Sequence, residues 1–246
     1  MGSAADRLSA GPLTALVVAS HIAVGTLNGL VFVFDAKQEL KWCLSSVAAG
    51  AQFGYVSSLS LNVDCTRVLC AFAKGQIMMW DLTSGRLLRS IGDAHFPNAG
   101  VVHVKFTDDR SLAVACDSRG SVFELKFRHL IGVRTCEAQC LFSGVRGEIC
   151  TIEPLRLQNV LPDAIDKELE LVAMASLSKV LIVTIRPQLK VCYTQRLVAG
   201  DACTVPLLAW QCMYLRAVGC VRPALAIAKD QNVKIVYVSI LVLCIK

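Results

Sequence analysis

The chain has 246 residues and a formal net charge of +6, with 54% hydrophobic and 18% charged residues. This apolar composition excludes a disordered chain, because the sequence has enough hydrophobic side chains to bury a large core. The best candidate for a membrane span, residues 235–245, is too short for a spanning helix of about 18 residues or more. Basic residues are spread along the chain, which gives no indication of a nucleic-acid partner.

The first residues, MGSAAD, carry no recognisable targeting signal. They have neither the apolar core of a secretion signal nor the Ser or Thr that favours myristoylation. We therefore expect a cytoplasmic location. The 12 cysteines are then predicted to be mostly reduced, buried small hydrophobes, because cytosolic thiols are kept reduced.

Apolar runs and turn residues recur along the chain. The stretch HIAVGTLNGLVFVFDAKQELKWCL (21–44) superposes on RVLCAFAKGQIMMWDLTSGRLLRSI (67–91). Each has an apolar run, a turn that ends in glycine, a second run, an aspartate and a third run. The superposed residues are Gly29 with Gly75 and Asp35 with Asp81, and each pair is 46 residues apart.

Three later stretches repeat this pattern less completely. SLAVACDSRGSVFELKFRHLIGV (111–133) places Gly120 another 45 residues after Gly75. LELVAMASLSKVLIVTIRPQLKVCY (169–193) keeps both runs without the glycine, and PALAIAKDQNVKIVYVSI (223–240) is clear through its second run. The runs are short and rich in Val, Ile and Leu, which favours strands over helices.

Four short strands in every ~40 to 45 residues is the period of a β-propeller blade. We therefore predict an all-β fold, an incomplete WD40-like β-propeller of about five blades, each an antiparallel four-stranded sheet. In the strand before the third copy, Val102, Val104 and Phe106 alternate with polar residues and are predicted to share one face. The predicted organisation is an N-terminal tail at 1–12, a partial propeller at 13–238 with blades at about 13–50, 55–95, 100–142, 147–197 and 203–238, and an atypical apolar tail at 239–246.

About five repeats are fewer than the seven that such propellers usually have. We expect either an open ring with one exposed blade face or five units that close on themselves. The end of the chain, VSILVLCIK, is expected to mark a truncated isoform, a fragment or a gene-model read-through after Val238.

The pair Trp80–Asp81 ends the second run of its repeat. The equivalent positions are interpreted as Phe34–Asp35 in the first copy and Glu124–Leu125 in the third. A catalytic pair is not expected to recur with its tryptophan replaced by phenylalanine, so the pair is predicted to be a packing and turn device. The predicted structural positions of the blades are Trp80, Asp81, Asp35, Gly29, Gly75 and Gly120.

Five segments of the chain carry a family resemblance. These segments are AFAKGQIMMWDLTSGRLLRSIGDAH, VVHVKFTDDRSLAVACDSRGSVFELKF, GVRTCEAQCLFSG, GEICTIEPL and VAMASLSKVLIV. Together they resemble the WD-repeat propeller of the vacuolar protein sorting-associated protein 8 family, over about residues 13–237.

The resemblance implies a non-enzymatic scaffold of the endosomal tethering complex CORVET, acting in early endosome fusion and endosome-to-lysosome or vacuole transport. It implies class C vacuolar protein sorting subunits and an early-endosomal Rab GTPase as partners, with peripheral association on early or late endosome membranes. The repeats alone also allow an unrelated WD-repeat adaptor, such as a ubiquitin-ligase substrate receptor, because a fold does not determine a function.

The chain departs from many WD repeats in one respect. Such repeats join a histidine, an aspartate just before the turn glycine and the tryptophan in a buried hydrogen-bond network. Here His95 could supply the histidine, but Lys74 and Arg119 precede the turn glycines. We therefore expect the network to be incomplete.

The basic stretch of Lys126, Arg128 and Arg134, with His129 between them, is the only local surface that the sequence singles out. It could contact an acidic GTPase surface or anionic lipid. The structural alternative is a charged edge that discourages strand addition.

No constellation of residues indicates catalysis or a cofactor. Cys136 and Cys140, with Cys150 and His129 nearby in sequence, lack the second close pair that a structural zinc site needs. Nucleophile-elbow and phosphate-loop motifs are absent from the sequence. We predict no catalytic, cofactor-binding or metal-ligating residue.

Overall fold

A computed structural model describes residues 9–130, 132–156, 169–197, 204–217 and 219–238. Most of the predicted N-terminal tail and all of the predicted apolar tail at 239–246 lie outside these residues. Within them, no helix is long and apolar enough to cross a membrane.

The described residues form five antiparallel sheets, each built from strands that are consecutive in sequence. The chain divides into two compact units, of which one holds the first three sheets and the other holds the fourth and fifth. In the first unit, sheet 1 contains β1 (Leu13–Val18), β2 (Ile22–Thr26), β3 (Val31–Phe34) and β4 (Leu40–Leu44). Sheet 2 contains β5 (Val56–Leu61), β6 (Arg67–Phe72), β7 (Ile77–Asp81) and β8 (Leu87–Ile91). Sheet 3 contains β9 (Val101–Phe106), β10 (Leu112–Asp117), β11 (Val122–Leu130) and β12 (Val133–Phe142).

The second unit holds the two remaining sheets and a short 3-10 turn at Gly144–Arg146. The all-β prediction is confirmed, although the fifth sheet has three strands among the described residues instead of four. Sheet 4 contains β13 (Thr151–Pro154), β14 (Glu170–Ala175), β15 (Lys179–Arg186) and β16 (Lys190–Arg196), and sheet 5 contains β17 (Leu207–Leu215), β18 (Cys220–Lys229) and β19 (Asn232–Tyr237).

A short helix, α1 (Val47–Phe53), follows sheet 1 and was not predicted. The Ser46 hydroxyl caps its first turn by accepting a hydrogen bond from the Ala49 amide at 3.1 Å. The helix packs closely on the turn at Gly29, where an added Cβ would lie 2.4 Å from the Gly50 Cα. Glycine is therefore needed on both sides of this contact.

Apolar faces of neighbouring sheets bury one another in the first unit. Between sheets 1 and 2, Val31, Val33 and Phe72 are fully buried in one cluster. Between sheets 2 and 3, Phe106 is fully buried and meets the Phe127 ring edge-on, with ring centroids 6.0 Å apart. Each cluster is the shared core of two sheets, so no sheet is expected to be stable alone.

Hydroxyl groups connect the first strands of neighbouring sheets. Thr14 of β1 donates a 2.7 Å hydrogen bond to the Val56 carbonyl, and Ser57 of β5 donates a 2.6 Å bond to the Val101 carbonyl. The hydroxyl of Ser60, which is 1% exposed, accepts a 2.9 Å bond from the Phe106 amide. These bonds satisfy main-chain groups that the packing of the sheets removes from water.

The second unit repeats the same construction. Leu171 and Ile182 of sheet 4 share a buried cluster with Leu225 of sheet 5. Thr151 of β13 donates a 2.8 Å hydrogen bond to the Pro206 carbonyl, just before β17. The inter-sheet hydroxyl contact is thus a repeated feature of the fold.

The prediction for the face of β9 is partly wrong. Val104 and Phe106 are fully buried, but Val102 is 37% exposed and Val101 is buried in its place. The register between β9 and β10 shifts between Cys116 and Asp117, which marks a bulge. A bulge adds one residue to a strand and reverses the side-chain alternation beyond it.

Candidate interaction site

The predicted turn glycines occupy left-handed backbone conformations. Gly29, Gly75 and Gly120 have φ values of 79°, 102° and 73°. At Gly75 a Cβ would also lie 2.5 Å from the His95 ring and 2.8 Å from the Ala99 carbonyl oxygen. This position therefore excludes any side chain for two independent reasons.

His95 bonds to the main chain of the Gly75 turn. Its Nε2 lies 2.7 Å from the Gly75 carbonyl oxygen, and its Nδ1 lies 2.9 Å from the Phe96 carbonyl oxygen. The histidine thus holds the turn through a carbonyl instead of an aspartate side chain.

The predicted aspartates organise turns. Asp35 Oδ1 accepts hydrogen bonds from the amides of Lys37 and Glu39 at 2.8 and 3.0 Å. Asp81 is the last residue of β7, and its carboxylate accepts a 2.9 Å bond from the Thr83 amide and a 2.8 Å bond from the Ser84 hydroxyl. Bonds of this kind stabilise turns, which is a structural use of these carboxylates.

These contacts also act on the ionisation of Asp81. The hydrogen bond from the Thr83 amide is the largest influence on the carboxyl and lowers its pKa, burial opposes this, and the Ser84 hydroxyl adds to the lowering. The net result is a pKa below the usual value.

Trp80 packs, half-buried, against the core shared by sheets 1 and 2. Its Nε1 is buried and has no hydrogen-bond partner. Counting from the turn glycines, which are 45 residues apart, the residue of sheet 3 that corresponds to Trp80 is Leu125. The predicted equivalence with Glu124 is therefore wrong by one position.

Two of the three predicted basic residues are paired within sheet 3. The Lys126 ammonium lies 3.0 Å from the carboxylate of Glu124, which is 3% exposed. The Arg128 guanidinium lies 3.0 Å from the Glu137 carboxylate at a solvent-exposed site. These pairs leave less positive charge for a partner than the sequence alone indicates.

Arg134, the third predicted residue, lies exposed on β12, the outermost strand of sheet 3. Lys126 and Arg128 lie on β11, the strand next to it. The three basic side chains therefore come from two strands of one sheet.

Arg89 of β8 joins sheet 2 to sheet 3. Its guanidinium donates hydrogen bonds to the carbonyls of Arg128 at 2.8 Å and Thr135 at 3.3 Å. It also contacts the Met79 sulfur at 3.5 Å and lies over the Phe127 ring, 5.4 Å from its centroid. These contacts place the guanidinium between sheets 2 and 3, against residues of β7, β11 and β12.

Two further arginines lie close enough to Arg89 to affect its ionisation. Burial is the main cause that lowers the pKa of the Arg89 guanidinium, and the positive charges of Arg67 and Arg134 lower it further, while Cys136 opposes them. Arg67 begins β6, and Arg134 lies on β12. We call Arg67, Arg89 and Arg134 the arginine cluster.

Arg67 and Arg89 were missed as site residues. Each is an isolated basic residue in an apolar strand, and no local pattern marks it. Arg67 and Arg89 lie on two strands of sheet 2 and Arg134 lies on a strand of sheet 3, so the cluster draws on two sheets. By contrast, the pairing of Lys126 with Glu124 is visible in the sequence, because residues two apart on a strand share a face.

The ten described cysteines are all free, and most are only half-buried. Cys70 and Cys116 are buried, Cys140 is exposed, and the other seven are intermediate, so the prediction of mostly buried thiols is wrong in degree. Burial raises the pKa of Cys136 to about 11, although the neighbouring Arg89 charge opposes this. Across the described ranges, no group of three or more His, Cys, Asp or Glu is placed to hold a metal ion.

Solved structures have a similar fold. The β-propeller domain of Cps50 (Swd1) from Myceliophteria thermophila matches 94% of the chain and 67% of its own length, with a TM-score of 0.62 and 14% identity. The WD40 domain of SCAP from fission yeast matches 91% of the chain and 49% of its own length, with a TM-score of 0.60 and 13% identity. The chain is therefore a β-propeller protein of the WD40 type.

Sequence comparison identifies the family. The Vps8 β-propeller family model matches residues 1–241. Vacuolar protein sorting-associated protein 8 homologs match at 51% identity in Mus musculus and 50% in Homo sapiens, each over 96% of the chain, and at 41% in Drosophila melanogaster over 88%. The chain belongs to the Vps8 β-propeller family and spans 16–17% of the length of these relatives.

Proposed function

We propose that the chain is a non-enzymatic interaction module of an endosomal tethering complex of the CORVET type. In this role it acts in early endosome fusion and in protein transport from endosomes to lysosomes or the vacuole. The proposed partners are class C vacuolar protein sorting subunits and an early-endosomal Rab GTPase. Association with endosome membranes is peripheral, through these proteins.

The observation that carries this proposal is the match to vacuolar protein sorting-associated protein 8 homologs at about half identity over nearly the whole chain. Residues that hold the blades together are part of the same stretch, including the turn at Gly75 with His95 and the hydroxyl contact of Ser57 with sheet 3. The predicted turn carboxylates, Asp35 and Asp81, are occupied in holding turns, which supports a structural role for them.

Affinity purification tests the proposal. The tagged chain is expressed in animal cells, and the recovered proteins are quantified by mass spectrometry against a tagged, unrelated WD40 propeller. We expect enrichment of class C vacuolar protein sorting subunits. Enrichment of cullin-ligase components without class C subunits would instead identify a ubiquitin-ligase substrate receptor.

A further inference from the structure

We propose that the arginine cluster binds an acidic peptide segment of a partner protein, through carboxylate side chains. The inference rests on the proposed function, because it assigns a partner chemistry to one surface of the interaction module. The cluster lies entirely within the first unit, on strands β6, β8 and β12.

The cluster carries positive charge that no ion pair in the described part of the chain balances. Some other basic side chains of sheets 2 and 3 are paired with carboxylates, as Lys126 is with Glu124 and Arg110 is with Asp64 at 3.6 Å. Over the described ranges, none of the three arginines of the cluster has a carboxylate within ion-pairing distance. An external carboxylate would therefore meet positive charge that no ion pair among the described residues offsets.

The Arg89 side chain is already held in place. Its bonds to the Arg128 and Thr135 carbonyls, its sulfur contact and its position over the Phe127 ring fix the guanidinium. A guanidinium has five N–H donors, so three bonds leave about two for a ligand. Binding to a fixed side chain avoids the entropy cost of ordering a long arginine.

The recessed position of Arg89 favours a peptide over a membrane. This side chain is half-buried between sheets 2 and 3, whereas a lipid surface contacts protruding side chains. A glutamate or aspartate side chain is narrow enough to reach a recessed guanidinium, and Arg89 can bind it bidentately. The outermost strand β12 pairs with β11 alone among the described strands, so its other edge can bond the peptide main chain.

A fluorescein-labelled decapeptide of alternating glutamate and glycine provides the probe. Its binding to the purified chain is measured by fluorescence anisotropy at low salt, for the parent and for Arg134→Glu. The control is Lys37→Glu, which makes the same charge change on an exposed turn of sheet 1. We expect Arg134→Glu to weaken binding about tenfold or more, and Lys37→Glu to bind as the parent does.

Three results would overturn the proposal. One is the absence of peptide binding by the parent chain, and the second is an equal loss in both variants, which indicates net charge alone. The third is Arg134-dependent binding to phosphatidylserine vesicles without peptide binding, which indicates a membrane surface. Circular dichroism melting confirms that each variant folds, and Arg67→Gln is a second variant if Arg134→Glu does not.

This test is distinct from that of the proposed function. Recovery of class C subunits by a chain that binds no peptide overturns the arginine-cluster proposal alone. Peptide binding that depends on Arg134, by a chain that recovers no class C subunits, overturns the proposed function and leaves the site.

Discussion

Two substitutions at Trp80 separate packing from hydrogen bonding at the end of β7. The indole is half-buried against the core of sheets 1 and 2, and its Nε1 is buried without an acceptor. Removing a fully buried large aromatic side chain costs about 3–5 kcal/mol, so Trp80→Ala at a half-buried site is expected to cost about 2–3 kcal/mol. Trp80→Phe keeps most of the ring contact and deletes the unsatisfied N–H.

The phenylalanine variant is the more informative of the two. A buried donor without a partner costs about 1–3 kcal/mol, whereas the smaller ring forfeits about 1 kcal/mol of apolar burial at most. Trp80→Phe is therefore expected to be at least as stable as the parent, within about 1 kcal/mol. Phe34 at the corresponding position of sheet 1 shows that this fold accepts the smaller ring.

Urea unfolding followed by circular dichroism measures both variants, and the fluorescence of the remaining tryptophans, Trp42 and Trp210, provides a second probe. A loss of stability in Trp80→Phe as large as that in Trp80→Ala would contradict this expectation, because the indole N–H would then be contributing a bond. An alanine variant with unchanged stability would show that Trp80 does not pack in the core.

Three further outcomes are expected. Gly75→Ala should lower the free energy of unfolding in urea by about 2 kcal/mol or more. Gly132 has a similar positive φ with open space around it, so Gly132→Ala should lower it by about 1 kcal/mol. Equal losses would show that the His95 ring does not crowd a side chain at position 75. The Asp81 pKa is lowered in the folded state, so its carboxylate stabilises the protein above the unfolded pKa of 3.8, and this contribution is lost as pH falls through the folded pKa. The stability difference between the parent and Asp81→Asn should therefore be constant from neutral pH to about 5 and shrink in acid. A difference that does not change with pH would contradict this. At pH 8, iodoacetamide should modify the exposed Cys140 before Cys136, because burial raises the pKa of Cys136 to about 11. Mass spectrometry follows the order, and the opposite order would contradict the burial of Cys136.

Periodicity in the sequence was sufficient for the strands and for the turns between them. Short apolar runs ending at Gly29, Gly75 and Gly120 predicted hairpins, and each glycine has the positive φ that such turns require. The turn role of Asp81 also follows from local chemistry, since its bonds reach only residues two and three positions away.

Features that depend on register or on distant strands could not be predicted. The exposure of Val102 follows from a bulge opposite Cys116, and no residue type in the sequence marks that bulge. The arginine cluster draws Arg67, Arg89 and Arg134 from strands of two sheets, which become neighbours only through tertiary packing. Helix α1 is too short for its hydrophobic period to be distinguished from the surrounding strands.

The proposed function requires this chain to be a docking module at endosomes. Imaging of the tagged chain in cells that express an early-endosomal Rab GTPase locked in the GTP-bound or GDP-bound state tests this claim most directly. We expect the chain to concentrate on early endosomes when the GTPase is GTP-bound and to disperse when it is GDP-bound. A distribution that is the same in both, with no enrichment on endosomes, would contradict it.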